Sequence, residues 1–98
     1  VHTLTAILRA KPGNEETVHA ALLACGAWVR ANEPDTASFF VTRSESDPCV
    51  FVTHERFADR AAMDRHNSGA GSQGFFAAAG HLLDGAPTVV TGQESFAR

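Results

Sequence analysis

Apolar and polar residues alternate along residues 2–10, HTLTAILRA, with His2, Leu4, Ala6 and Leu8 on one face and Thr3, Thr5, Ile7 and Arg9 on the other. A period of two predicts a strand, and the threonines and Ile7 make its second face fit for packing as well. Lys11-Pro12-Gly13 ends it. The period then becomes helical. Asn14 is a good N-cap, Glu15 and Glu16 suit the first turn, and Val18, Ala21, Leu22, Cys25 and Val29 form a buried stripe flanked by Trp28. The helix is expected to run to about Ala31, where Asn32-Glu33-Pro34-Asp35 breaks it. Residues 36–44 and 49–57, rich in Phe, Val and Thr, predict two strands joined as an antiparallel hairpin by Glu45-Ser46-Asp47-Pro48. Asp59 caps a short helix carrying Ala62, Met63 and His66. Gly69-Ala70-Gly71-Ser72 is expected to be a flexible joint, and Phe75, Phe76, Ala79, Leu82 and Leu83 make a third helical stripe stopped by Gly85 and Pro87. Residues 88–95 predict a last strand.

The order β-α-β-β-α-α-β predicts an α+β, ferredoxin-like fold: a four-stranded antiparallel sheet with helices on one face. One domain, residues 1–98, is expected. Apolar residues on both strand parities require a cover for the open face, and a second copy packed sheet to sheet is the simplest one.

Composition narrows the function classes. The chain is 44% hydrophobic with a net charge of −3, and its eight Lys and Arg residues are scattered. No basic stripe points to nucleic acid. No apolar run approaches the ~20 residues of a membrane span, and no signal peptide is recognised. Cytoplasm is the expected location, with Cys25 and Cys49 as reduced thiols rather than a disulfide. His2, His19, His54, His66 and His81 are dispersed without metal-ligand spacing, and no phosphate-binding glycine motif occurs, so neither a metal nor a nucleotide cofactor is expected.

The run Arg30-Ala31-Asn32-Glu33-Pro34, followed by Thr36, Ser38 and Arg43-Ser44, resembles antibiotic biosynthesis monooxygenase domains, including members assigned to quinols. So does the run from His54-Glu55-Arg56-Phe57 through Met63-Asp64-Arg65-His66. Phe75-Phe76-Ala77-Ala78, Leu82-Leu83 and Gly85 with Pro87 continue the register, so the resemblance spans nearly the whole chain. It implies a dimeric α/β barrel made by two face-to-face sheets and an apolar pocket between sheet and helices. It also implies oxygenation of a phenol or hydroquinone without a cofactor. His66 matches the family's histidine on the second helix and Glu55 its glutamate on the third strand. The chain departs from the pattern at Phe39, where the family often has tyrosine, and at residues 69–72, where many members have a Ser-Pro-His-Phe-like run. Related haem-degrading proteins use an asparagine on the first strand and a tryptophan on the second helix; neither is present here.

Cofactor-free oxygenation asks for a base, a dry aromatic-lined pocket and a donor that steadies the substrate anion. His66 is the candidate base, with a charged cap at a helix end as its structural alternative. Glu55 is the candidate that orients His66 or a substrate hydroxyl, against an alternative in which it pairs with an arginine. His54 and Glu55 point to opposite faces. If Glu55 faces the helices, Phe51, Thr53 and Phe57 share its face. Trp28, Phe39, Phe51, Phe75 and Phe76 are candidates to line the pocket around a small apolar aromatic ligand, and Asn67 and Ser72 are candidate donors. An isomerase of a small carbonyl compound and a non-catalytic binding dimer remain the competing readings.

Overall fold

The computed structural model describes residues 1–98. The chain forms β1 (His2–Arg9), α1 (Glu15–Asn32), β2 (Thr36–Arg43), β3 (Val50–Phe57), α2 (Arg60–Asn67), α3 (Ala70–Ala79), one 3₁₀ turn (Gly80–Leu82) and β4 (Thr88–Gln93). The strands make one antiparallel sheet in the order β2-β3-β1-β4. This is the ferredoxin-like α+β arrangement that the order of elements predicts.

Strand pairing places Leu4 opposite Glu55, Ala6 opposite Thr53 and Leu8 opposite Phe51. Leu4, Ala6 and Leu8 are buried on the same side as Phe51, Thr53, Glu55 and Phe57. Val18, Leu22, Cys25 and Val29 of α1 close over them, joined by Ala62 and Met63 of α2 and Phe75 and Ala79 of α3. Phe51 and Phe57 are wholly enclosed, each contributing on the order of 1.5–3 kcal/mol by burial. A bulge between Thr36 and Ser38 shifts the register at the start of β2, and beyond it Phe39 pairs with Glu55. The other face of the sheet carries no helix. Ile7 is 47% exposed there, Phe40 58% and Val90 66%.

Several local expectations change. Residues 70–72 are not a joint but the first turn of α3. Gly69 is its N-cap, Gln73 N donates to Gly69 O and the Gln73 side chain donates to Ser68 O. The third stripe is one helix only to Ala79, after which Leu83 bridges Ala10. Ser44, Cys49 and residues 94–95 fall outside the strands. Asn14 begins α1, but its side chain caps nothing; its carbonyl accepts from Val18 N while Glu15 Oε2 accepts from Gly13 N. Gly13 takes a φ of 88° that other residues adopt only with strain. No helix is long and apolar enough to cross a membrane.

Candidate active site

The helices do not seal completely against the sheet. A cavity of about 240 Å³ remains, walled by Leu4, Ala6 and Leu8 of β1, Leu22 and Cys25 of α1, Phe39 of β2 and Phe75 and Phe76 of α3. Pro87 and Val89 complete its lip. Roughly 150 Å³ of apolar space holds a benzene ring, so this volume suits a two-ring aromatic. Its polar groups are few: Thr53 and Glu55 of β3, His66 and Asn67 of α2, and Ser72 of α3.

Each polar group is placed by its element. Asp59 Oδ1 accepts from Ala62 N at 2.8 Å and starts α2. His66 then falls on the face of Ala62 and Met63, one turn on from both, and turns inward with 4% of its surface exposed. Its ring lies between Phe57 and Phe39, at centroid distances of 5.2 and 5.8 Å. Glu55 faces the helices because Phe51, Thr53 and Phe57 share its strand parity, and its side chain is 5% exposed. Thr53 Oγ1 donates to Glu55 Oε2 at 2.8 Å.

His66 bridges two carboxylates. Nδ1 lies 2.7 Å from Glu33 Oε1, which also accepts from Thr36 Oγ1 at 2.8 Å. Nε2 lies 2.9 Å from Glu55 Oε1 and 3.3 Å from Ser72 Oγ. Glu55 Oε1 is buried with His66 Nε2 as its one close polar partner, a charge-assisted contact when the ring is protonated, and Glu33 Oε2 is buried with no hydrogen-bond partner. Burial disfavours charge on His66, but Glu55 and Glu33 at its two nitrogens outweigh that and raise its pKa above the ordinary histidine value. The ring therefore keeps its proton into a pH range where a free histidine has lost it. Because the carboxylates sit at opposite nitrogens, the three groups do not converge on one point as metal ligands do. Cys25, at the cavity wall, is pushed up to about 11 by burial and by the two carboxylates, so it stays a thiol rather than a nucleophile.

His66 and Glu55 thus meet, and Phe39, Asn67, Phe75 and Phe76 line the same cavity. Two candidates stand elsewhere. Phe51 lies in the sealed core, its ring 5.2 Å from that of His19 and 5.4 Å from the Arg43 guanidinium. Trp28, 38% exposed, packs beside Gly71, where a Cβ would sit 3.0 Å from the indole. Glu33, read from sequence as part of a helix breaker and of the run that carries the family resemblance, was given no role in the site and is the residue that reading missed. A signal existed, since Glu33 follows Val29 by four and extends the buried stripe of α1 by one turn.

A family model described as antibiotic biosynthesis monooxygenase matches residues 2–78. The chain belongs to that family. Among solved structures, a Nitrosomonas europaea protein named for the family superposes with a TM-score of 0.90 at 18% identity, covering 98% of this chain and all of that one. A Caulobacter crescentus protein of the same naming gives 0.85 at 27% identity, over 92% of this chain and 85% of that one. A protein from Pseudomonas aeruginosa gives 0.85 at 25% identity, over 95% and 92%. Comparison with curated protein sequences gives no match.

Proposed function

We propose that this chain is a cofactor-independent monooxygenase that oxidises a small phenolic or quinol-type aromatic with dioxygen, working as a homodimer. The observation that carries the reading is Glu55 Oε1. It is a buried carboxylate oxygen on the wall of a mostly apolar cavity, contacted by His66 Nε2 alone. One such contact leaves a carboxylate oxygen with spare acceptor capacity, and a substrate hydroxyl supplies a second donor. Family membership supports monooxygenase chemistry. The homodimer reading is supported by the uncovered apolar residues Ile7, Phe40 and Val90 on the helix-free face.

The raised pKa of His66 alters the roles expected from sequence. A ring that holds both protons is a poor base, so Glu55 takes the substrate proton and His66, as imidazolium, steadies the resulting anion. The O–H bond breaks with its electron pair left on the substrate. One electron passes from the anion to dioxygen, the two radicals join as a carbon–oxygen bond, Glu55 returns its proton to the peroxide anion, and loss of water from the hydroperoxide, with the hydrogen of the same carbon, gives the quinone. One atom of dioxygen is thus in product and one in water. Phe39, Phe75 and Phe76 keep water from the anion, which favours oxidation over reprotonation.

The test is dioxygen uptake with an anthrone or a naphthohydroquinone, measured above a no-enzyme control because such compounds autoxidise. Wild type should show excess uptake, and Glu55→Gln should lower it by roughly 10²–10⁴-fold. No excess across a quinol panel, or an unchanged Glu55→Gln, would defeat the proposal. The same carboxylate–imidazolium pair is also an acid and a base side by side, which favours a carbonyl isomerase as the second reading. Deuterium exchange at carbon without oxygen uptake would mark it.

A further inference from the structure

His66 is the only residue that lines both the apolar cavity and a second, polar concavity. The second one holds about 200 Å³ on the Nδ1 side of the ring, and its polar wall comes from Asn32, Glu33, Asp35, Thr36 and Arg65. Arg65 and Asp35 pair with each other at 2.9 Å, and both are well exposed, so this groove is polar where the cavity is mostly apolar. Glu33 stands between them: its side chain is 14% exposed, it lines the groove, and it holds Nδ1 at 2.7 Å. The charged groups against His66 are Glu55 from β3 and Glu33 from the connection after α1; Asp35 and Arg65 share its groove wall, Cys25 its cavity wall, and Ser72 is the hydroxyl from α3.

We infer that His66 exchanges its proton with solvent through Glu33 and the polar groove, not through the substrate cavity, so that Glu33 is a positioning and proton-exchange residue of the site. This rests on reading the apolar cavity as the substrate's chamber. The Nε2 side closes when an aromatic fills that chamber, because Glu55 and Ser72 then face ligand instead of water. The Nδ1 side stays open. There the N–H bond breaks as an O–H bond forms on Glu33, the electron pair stays on the ring as neutral imidazole, and groove water takes the proton. The reverse restores the imidazolium. His66 is thus recharged with the cavity occupied, and its charge follows the bulk pH.

The test is nuclear magnetic resonance of protein labelled with ¹⁵N-histidine, following exchange of the His66 Nδ1–H with water, with and without saturating 2-naphthol. In wild type, filling the cavity should change the exchange rate by no more than about twofold, whereas Glu33→Gln should slow it by roughly tenfold or more in either state. The amide carbonyl still accepts from Thr36 and His66, so Glu33→Gln holds the ring without being able to carry its proton. It should also lower the His66 pKa, and Glu33→Asp should restore part of the exchange. A wild-type rate slowed about tenfold by naphthol, or a Glu33→Gln rate equal to wild type, would overturn the inference. Failure of naphthol to bind counts against the cavity reading alone, since unliganded Glu33→Gln against unliganded wild type still decides the route.

Discussion

His66→Leu fills the imidazole's space while removing its charge and both donors, and its cost follows from what is left behind. Glu33 keeps Thr36 as a donor and is 14% exposed, though its Oε2 is buried without a partner, whereas Glu55, 5% exposed, keeps only Thr53. One carboxylate is therefore stranded. Breaking a buried ion pair by removing one partner costs ~3–5 kcal/mol. Proton uptake sets a ceiling: neutralising an ordinary glutamate costs about 3.7 kcal/mol at pH 7 and about 1 kcal/mol at pH 5. The variant should thus lose ~3–4 kcal/mol at pH 7 and ~1–2 kcal/mol at pH 5, out of a reserve of about 5–15 kcal/mol for a domain of this kind. The His66 contribution has the opposite limb as well. With its folded pKa raised, it is complete below the unfolded value of about 6.5 and is lost as pH rises through the folded one. Urea unfolding at pH 5, 7 and 9, at fixed protein concentration, measures both limbs. In the Glu55→Gln background the same leucine should cost at least ~2 kcal/mol less at pH 7, because no charge is stranded. A loss under ~1 kcal/mol at pH 7, or an equal loss at pH 5 and 7, would refute the bridged-carboxylate argument.

Two further outcomes are expected. Gly74→Ala, an exposed helix position with open space around it, should stabilise by about 1 kcal/mol in thermal melts, whereas Gly71→Ala, against the Trp28 indole, should show no such gain. Sedimentation should give a mass near twice 10.4 kDa, with Ile7→Asp shifting it toward the monomer; a concentration-independent monomer in wild type would refute the sheet-to-sheet dimer.

The fold was legible because local signals agreed: alternation in β1 and β3 and the Val18-to-Val29 stripe of α1 each select one face without help from distant residues. The site was legible only in part. Glu55 was readable as core-facing once Phe51 and Phe57 claimed its parity, and His66 because it shares a helix face with Met63. Glu33 was hidden because a glutamate before proline reads as a helix stop, and its burial depends on a histidine 33 residues away. Phe51 went the other way. Strand parity gives the face of a sheet but not the position along it, so a sealed phenylalanine and one at the cavity look alike. At residues 69–72 two glycines suggested slack, but one is a cap and the other a close approach to Trp28, so both mark constraint.

The lip of the cavity lies on a different part of the chain from its chemistry. Val89, 52% exposed, comes from β4, the edge strand that pairs with β1 alone, and Pro87 immediately precedes that strand. Beyond that pairing, the segment is tied at both ends, by Asp84 N to Arg9 O and by Glu94 N to Val1 O. These ties are backbone bonds, indifferent to the side chains between them. Residues 87 and 89 are thus free to vary in size while Glu33, Glu55 and His66, on other elements, stay fixed. A lineage, or a selection experiment, that trades side chains at those two positions can change which aromatic is admitted without disturbing the proton-handling groups.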